Sequence, residues 1–244
     1  MPDPMSQPLA GELRVRMRKR LRRLAHPAWL GTVRRTKPLS DVFGRDRGQP
    51  IDRYFIEQFL NEQRARIHGR VLEMGNGDYT RRFGSDVLHS DVLDIDPQNR
   101  EATIVADLQD AGSVASETFD CFILTQTLHL IEDVPAAIRH AHRILRPGGT
   151  LLSTVPSVSR IERAYLDAEY WRFTAASCSV LFRRAFDGGE VEVVSRGNVL
   201  VAVAFLLGMA QEELRKRELE VDDPFFPVIV TVRATKAGAP ESLT

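Results

Sequence analysis

From Gly69 onward, short apolar runs alternate with longer amphipathic stretches, and this alternation restricts the possible folds more than any other feature. Val71-Leu72 opens the first run, Val87–Ile95 is the second, Ala102–Ala106 the third and Phe119–Leu124 the fourth. Thr150–Val155, Val191–Val194 and Val228–Val232 complete the series. Such short runs, bounded by turn residues, read as strands. Between the fourth and fifth, Ala137, Ile138, Ala141, Ile144 and Leu145 recur at helical spacing, and Pro147-Gly148-Gly149 stops that helix. Thr174–Phe186 reads as a further helix. Strands alternating with helices predict an α/β protein with a doubly wound, seven-stranded sheet. The last two strands lack a clear crossover helix, so the final strand is expected to be antiparallel.

Ahead of this body, Ile51, Tyr54, Phe55, Phe59 and Leu60 mark one face of a helix that should end near His68-Gly69. Pro38–Pro50 reads as a loop. Gly11–Lys37 carries ten basic residues against the single acidic Glu12, as a basic N-terminal helical extension would. The predicted organisation is a basic arm and loop over 1–50 and one folded domain over 51–244. The formal net charge is zero, but residues 1–70 hold 16 basic and 7 acidic side chains. That asymmetry suits a solvated arm or a weak contact with an anionic membrane surface. Nucleic acid is not expected, because basic and aromatic residues are not interleaved in a recognition module. With 43% hydrophobic and 27% charged residues, wholesale disorder is excluded. Cys121 and Cys178 build neither a disulfide framework nor a zinc pattern, which suits a reducing, cytoplasmic setting. The longest apolar run, 199–210, is too short to span a bilayer. No metal is expected, since the aspartates after the second strand lie away from the acceptor side.

The first strand ends in Glu73-Met-Gly75-Asn-Gly77-Asp. Glycines there let backbone N–H groups approach a ligand without obstruction by Cβ. A carboxylate at the end of an apolar strand is costly unless a cation or hydrogen-bond donor meets it, which suits a ligand bearing an amine. The turn has no third glycine and no basic residue, and both absences count against a phosphate cradle. The second strand runs into Ser90-Asp91-Val-Leu-Asp94-Ile-Asp96. A carboxylate about 20 residues past the glycine turn is the expected partner of a ribose diol. Asp94 fits best, then Asp91, with Asp96 also in range. After the third strand, Asp107 could accept from an exocyclic amine while Leu108 lies on the ring.

Together these parts resemble the class I S-adenosylmethionine-dependent methyltransferases of the type 11 kind, from about Arg70 to Ala234. The resemblance rests on VLEMGNGD, the acidic end of the second strand, VADL after the third, 119–130 (FDCFILTQTLHL), and ILRPGGTLLSTVP (144–156). It extends to bacterial methyltransferases of polysaccharide and glycoside biosynthesis through Pro50–Glu57, Tyr170–Thr174 and Gly197–Leu200. A Rossmann-like fold and S-adenosylmethionine as cofactor are thereby implied. The resemblance assigns Glu73, Gly75 and Gly77 to the methionine end, Asp94 or Asp91 to the ribose, and Asp107 and Leu108 to the adenine. Thr125 and Gln126 would line the gap to the acceptor, and Tyr54 would close over it. Tyr79 stands where the family has its third glycine.

Methyl transfer to a hydroxyl needs a base near the acceptor. His129, after the fourth strand, is the first candidate. Arg160, Tyr170, Trp171 and Arg172, after the fifth strand, are suited to stack on a ring or bind an anionic group. The expected function is O-methylation of a sugar or other small biosynthetic hydroxyl compound. A cofactor-binding relative without turnover and an NAD-dependent oxidoreductase are the alternatives.

Overall fold

The computed structural model describes residues 31–238 together with Arg14, Met17, Arg18 and Leu21. Those four are helical and exposed, and the rest of the predicted basic helix before Gly31 lies outside the described residues. The chain divides into units 1–37 and 38–244. The second unit contains, in order, α1 (Ile51–Glu62), β1 (Gly69–Met74), α2 (Asp78–Phe83), β2 (Val87–Asp94), β3 (Ile104–Val105) and β4 (Phe119–Thr125). It continues with α3 (Val134–Ile144), β5 (Leu145–Pro156), α4 (Ala175–Ala185), β6 (Glu190–Arg196), α5 (Val199–Leu207), α6 (Lys216–Leu219) and β7 (Ile229–Thr235). The seven strands form one sheet in the order β3-β2-β1-β4-β5-β7-β6. β1 to β5 are mutually parallel, and β7 runs antiparallel to both β5 and β6. The expected α/β fold, Rossmann-like and with an antiparallel last strand, is the one observed.

Period-two alternation along the central strands sends neighbouring residues to opposite cores. Leu72, Phe122, Leu124 and Leu151 join α3 and α4 residues such as Ile138, Ala141 and Phe182 on one face. Val71, Cys121, Ile123 and Leu152 join Phe55, Ile56 and Phe59 of α1 and Phe205 of α5 on the other. Each fully buried Leu, Ile or Phe contributes roughly 1.5–3 kcal/mol of transfer free energy.

Three local outcomes differ from the sequence reading. Helix α1 stops at Glu62, because Gly69 already opens β1 with φ +65°, and a Cβ there would lie 2.3 Å from the Asp120 carboxylate. Helix α5 was visible only as an apolar run, since a helix apolar all round has no amphipathic period. Asn198 caps it by accepting from the Val201 N–H at 3.1 Å, and left-handed Gly208 ends it. The segment 38–50, expected to belong with the arm, is instead fastened to the end of α5. Leu39 donates its N–H to the Leu207 carbonyl at 2.7 Å, and Pro50 bridges Ala210.

Candidate active site

Parallel register brings the carboxyl ends of the central strands to one edge. Met74 lies beside Leu93, Glu73 beside Ile123, and Thr125 beside Thr154. The glycine turn, Asp94 and Gln126 therefore leave the sheet together, where ligands bind in open α/β sheets. Gly75 has φ +78°, and a Cβ there would meet no atom within 4 Å. The turn thus presents bare backbone to open space. Gly77 is more confined, with its Cβ position 3.1 Å from the Arg81 guanidinium.

Glu73 is 1% exposed. Its Oε1 accepts from the Tyr79 N–H at 3.0 Å, and its Oε2 accepts from both the N–H and the hydroxyl of Thr80 at 2.7 Å. Burial pushes the carboxyl above its usual range, and the bonds from Thr80 and Tyr79 pull the other way. The partner demanded by burial is thus the start of α2, not an external amine; Glu73 fixes the turn from behind. Tyr79 sits in α2 and is buried in the α1-side core, its ring 6.1 Å from that of Phe83 and its hydroxyl accepting from Arg53 Nη1. The departure from the third glycine leaves the Gly75 backbone open.

Asp94, at the last residue of β2, accepts on Oδ1 from the Asp96 N–H at 2.9 Å. Asn99 Nδ2 donates to Asp94 Oδ2 and to the Gly75 carbonyl, both at 2.6 Å, and so ties the two turns together. Asp91 lies three residues inside the strand and is committed elsewhere: Arg70 Nε donates to it at 2.7 Å and the Thr103 hydroxyl at 3.1 Å. An odd separation along a strand also turns it to the face opposite Asp94. Asp96 accepts from the N–H of Gln98 at 2.8 Å. Asp107 accepts from the Gln109 N–H at 3.0 Å and from its Nε2 at 2.8 Å. Leu108 is 2% exposed and belongs to the core, so its side chain has no face to offer a ring.

A cavity of about 180 Å³ opens on the acceptor side. Gln126, His129 and Leu130 line it after β4, Asp52 and Arg53 from α1, and Ser159, Glu162, Tyr165 and Glu169 after β5; Phe43, Arg45, Pro50, Pro156, Phe205 and Val228 complete the wall. Gln126 holds φ +47°, a left-handed conformation unusual outside glycine. Its N–H donates to the Thr154 carbonyl at 2.9 Å. Thr125 is not in the wall; its carbonyl accepts from the Thr127 hydroxyl at 3.0 Å. His129 Nε2 lies 3.9 Å from Glu169 Oε1. Burial pulls the imidazole down to about 4, with Glu169 opposing and Arg172 assisting. The ring is therefore neutral at pH 7 with a lone pair available, and among the described residues its Nδ1 has no hydrogen-bond partner.

Several residues expected at the acceptor have other duties. Tyr54 lies about 200° around α1 from Asp52 and packs edge-on against Phe55, centroids 5.2 Å apart. Arg160 donates to the Asp41 carbonyl and stacks 4.8 Å over the Phe43 ring. Tyr170 and Trp171 donate their N–H groups to the His129 carbonyl at 2.9 and 3.3 Å, and Trp171 Nε1 donates to the Ile131 carbonyl at 2.9 Å. Arg172 pairs with Glu169 at 2.5 Å. Tyr170 and Trp171 thus clasp the His129 segment, Arg172 holds Glu169, and none of the three lines the cavity. The loop after β5 lines the cavity through Ser159, Glu162, Tyr165 and Glu169, while Asp52 and Arg53 carried a signal only as part of the Pro50–Glu57 segment.

Among proteins of established function none matches the chain. Three solved structures illustrate the structural likeness. One is an S-adenosylmethionine-dependent methyltransferase from Mesorhizobium loti, at 16% identity and TM-score 0.50, covering 76% of this chain and 98% of that one. Another is a methyltransferase from Haloferax volcanii in complex with the Trm112 activator, at 17% and 0.51, covering 79% and 94%. The third is the [4+2]-cyclase SpnF, at 15% and 0.53, covering 83% and 87%. At such identities these likenesses establish the fold and nothing finer. The model of a methyltransferase-domain family, Methyltransf_23, matches residues 43–188, a span holding the glycine turn, Asp94, Gln126, His129 and Glu169, and the chain belongs to that family.

Proposed function

We propose that the protein transfers a methyl group from S-adenosylmethionine to a hydroxyl of a sugar or similarly small biosynthetic compound. The observation that carries this reading is the open backbone at Gly75, tied through Asn99 to Asp94, together with a polar cavity whose wall includes Gln126. The residues fit the cofactor. Gly75 leaves room for the methionine end, the free lone pairs of Asp94 suit a ribose diol, and Glu73 keeps the turn rigid from below. When bound, S-adenosylmethionine supplies an electrophilic methyl whose bonding pair stays with sulfur. The chain supplies orientation and a proton acceptor. Neutral His129, placed by Glu169 and by the clasp of Tyr170 and Trp171, receives the hydroxyl proton as the oxygen–carbon bond forms. Tyr79, which would favour a relative without turnover if it filled the turn, lies in the core instead.

The test is calorimetric titration with S-adenosylhomocysteine. Wild-type protein should bind it stoichiometrically. Asp94→Ala should weaken binding at least tenfold, about 1.4 kcal/mol, while Asp91→Ala should leave affinity within about twofold once stability is matched. Absence of binding by the wild type would refute the cofactor assignment, and binding of NAD in its place would establish the oxidoreductase alternative.

A further inference from the structure

Five buried side-chain oxygen or nitrogen atoms lack a hydrogen-bond partner among the described residues, and two of them belong to residues that line the same cavity. They are Asp52 Oδ1 and His129 Nδ1. Ser153, Thr154 and Gln211 supply the other three and lie outside its wall. Buried polar atoms are almost always satisfied, so two unpartnered ones on residues of one cavity wall call for an occupant with matching groups.

Charge and size define that occupant. Arg45 and Arg53 share the wall with Asp52; burial raises its carboxyl above the ordinary range, and the charges of Arg53 and Arg45 pull it back. Neither donates a hydrogen bond to its Oδ1. Arg53 is engaged with the Tyr79 hydroxyl, and Glu169 is matched by Arg172. The site therefore needs no further cation, but it does need a hydrogen-bond donor at Asp52. A cavity of about 180 Å³ lies below the range of drug-sized pockets and suits a small occupant such as a single ring.

Resting on the methyl-transfer reading above, we propose that Asp52 is the residue that binds and orients the acceptor. Its free Oδ1 accepts from one hydroxyl of a neutral, single-ring polyol, and His129 faces a neighbouring hydroxyl of that same ring. Asp52 thus selects hydroxylated rings over amines and decides which hydroxyl meets His129.

The experiment uses the full chain loaded with S-adenosylhomocysteine. It is titrated calorimetrically with methyl glycosides of the common hexoses, deoxyhexoses and pentoses, and with cyclohexylamine as a cationic ring of similar size. At least one glycoside should bind saturably to the wild type. Asp52→Ala should lose at least tenfold in that affinity and Asp52→Asn less, while both retain wild-type affinity for S-adenosylhomocysteine, which also verifies their folding. Three outcomes would overturn the proposal: no glycoside binding to a normally loaded wild type, equal binding by Asp52→Ala, or preferential binding of cyclohexylamine. Failure of the wild type to load S-adenosylhomocysteine would instead remove the methyl-transfer reading itself, and the proposal with it.

Discussion

At the scale of single residues, the environment of a side chain assigns its task more firmly than its position in a motif does. His129 shows this with a measurable consequence. Its imidazole titrates at about 4 when folded and at 6.5 when exposed. The unfolded chain therefore takes up the proton first as pH falls. Its contribution to stability is complete above pH 6.5 and is lost as pH drops towards 4, a difference of about 3 kcal/mol. Urea midpoints of wild type and His129→Gln, measured across pH 4–7.5, should converge at the acidic end as that contribution disappears. A constant gap between the two would show that the ring is solvated. The aspartates make the same point without titration. In the sequence, spacing favours Asp94, then Asp91, with Asp96 also in range. Strand parity and the Arg70 partner separate Asp91 from the others, and neither is a property of the motif.

At the scale of elements, α2 explains why a tyrosine can stand in a glycine's place. The helix begins directly after Gly77, and its first N–H groups close on Glu73. Tyr79 therefore points into the α1-side core and helps fix α2 there. Restoring the family residue with Tyr79→Gly should not improve cofactor binding. It should lower stability by about 4 kcal/mol, from the lost buried ring together with the lower helix propensity of glycine, as read by chemical denaturation. An effect below about 1 kcal/mol would mean that the ring is not part of the core. The amphipathic elements α1, α3 and α4 were legible because their buried stripes recur at helical spacing. Helices α2 and α5 were not. One is too short to show a period, and the other is apolar on every side.

At the scale of the whole molecule, both cores, among the described residues, draw on residues after Lys37. Removing residues 1–37 should leave a single cooperative unfolding transition with a Tm within about 2 °C of the full chain, by calorimetry; a broad or multistep transition would show that the arm contributes to the cores. The sheet, its reversed last strand, the glycine turn and the methyltransferase character were legible in the sequence, because hydrophobic period and turn chemistry are local and survive without knowledge of partners. Only the folded chain shows that Arg70 engages Asp91, that Glu73 braces α2, and that Asp52 and His129 share a cavity. Those outcomes depend on strand register and on how α1 and the loop after β5 meet across the sheet edge, and such contacts between residues far apart in sequence leave no periodic trace in the chain.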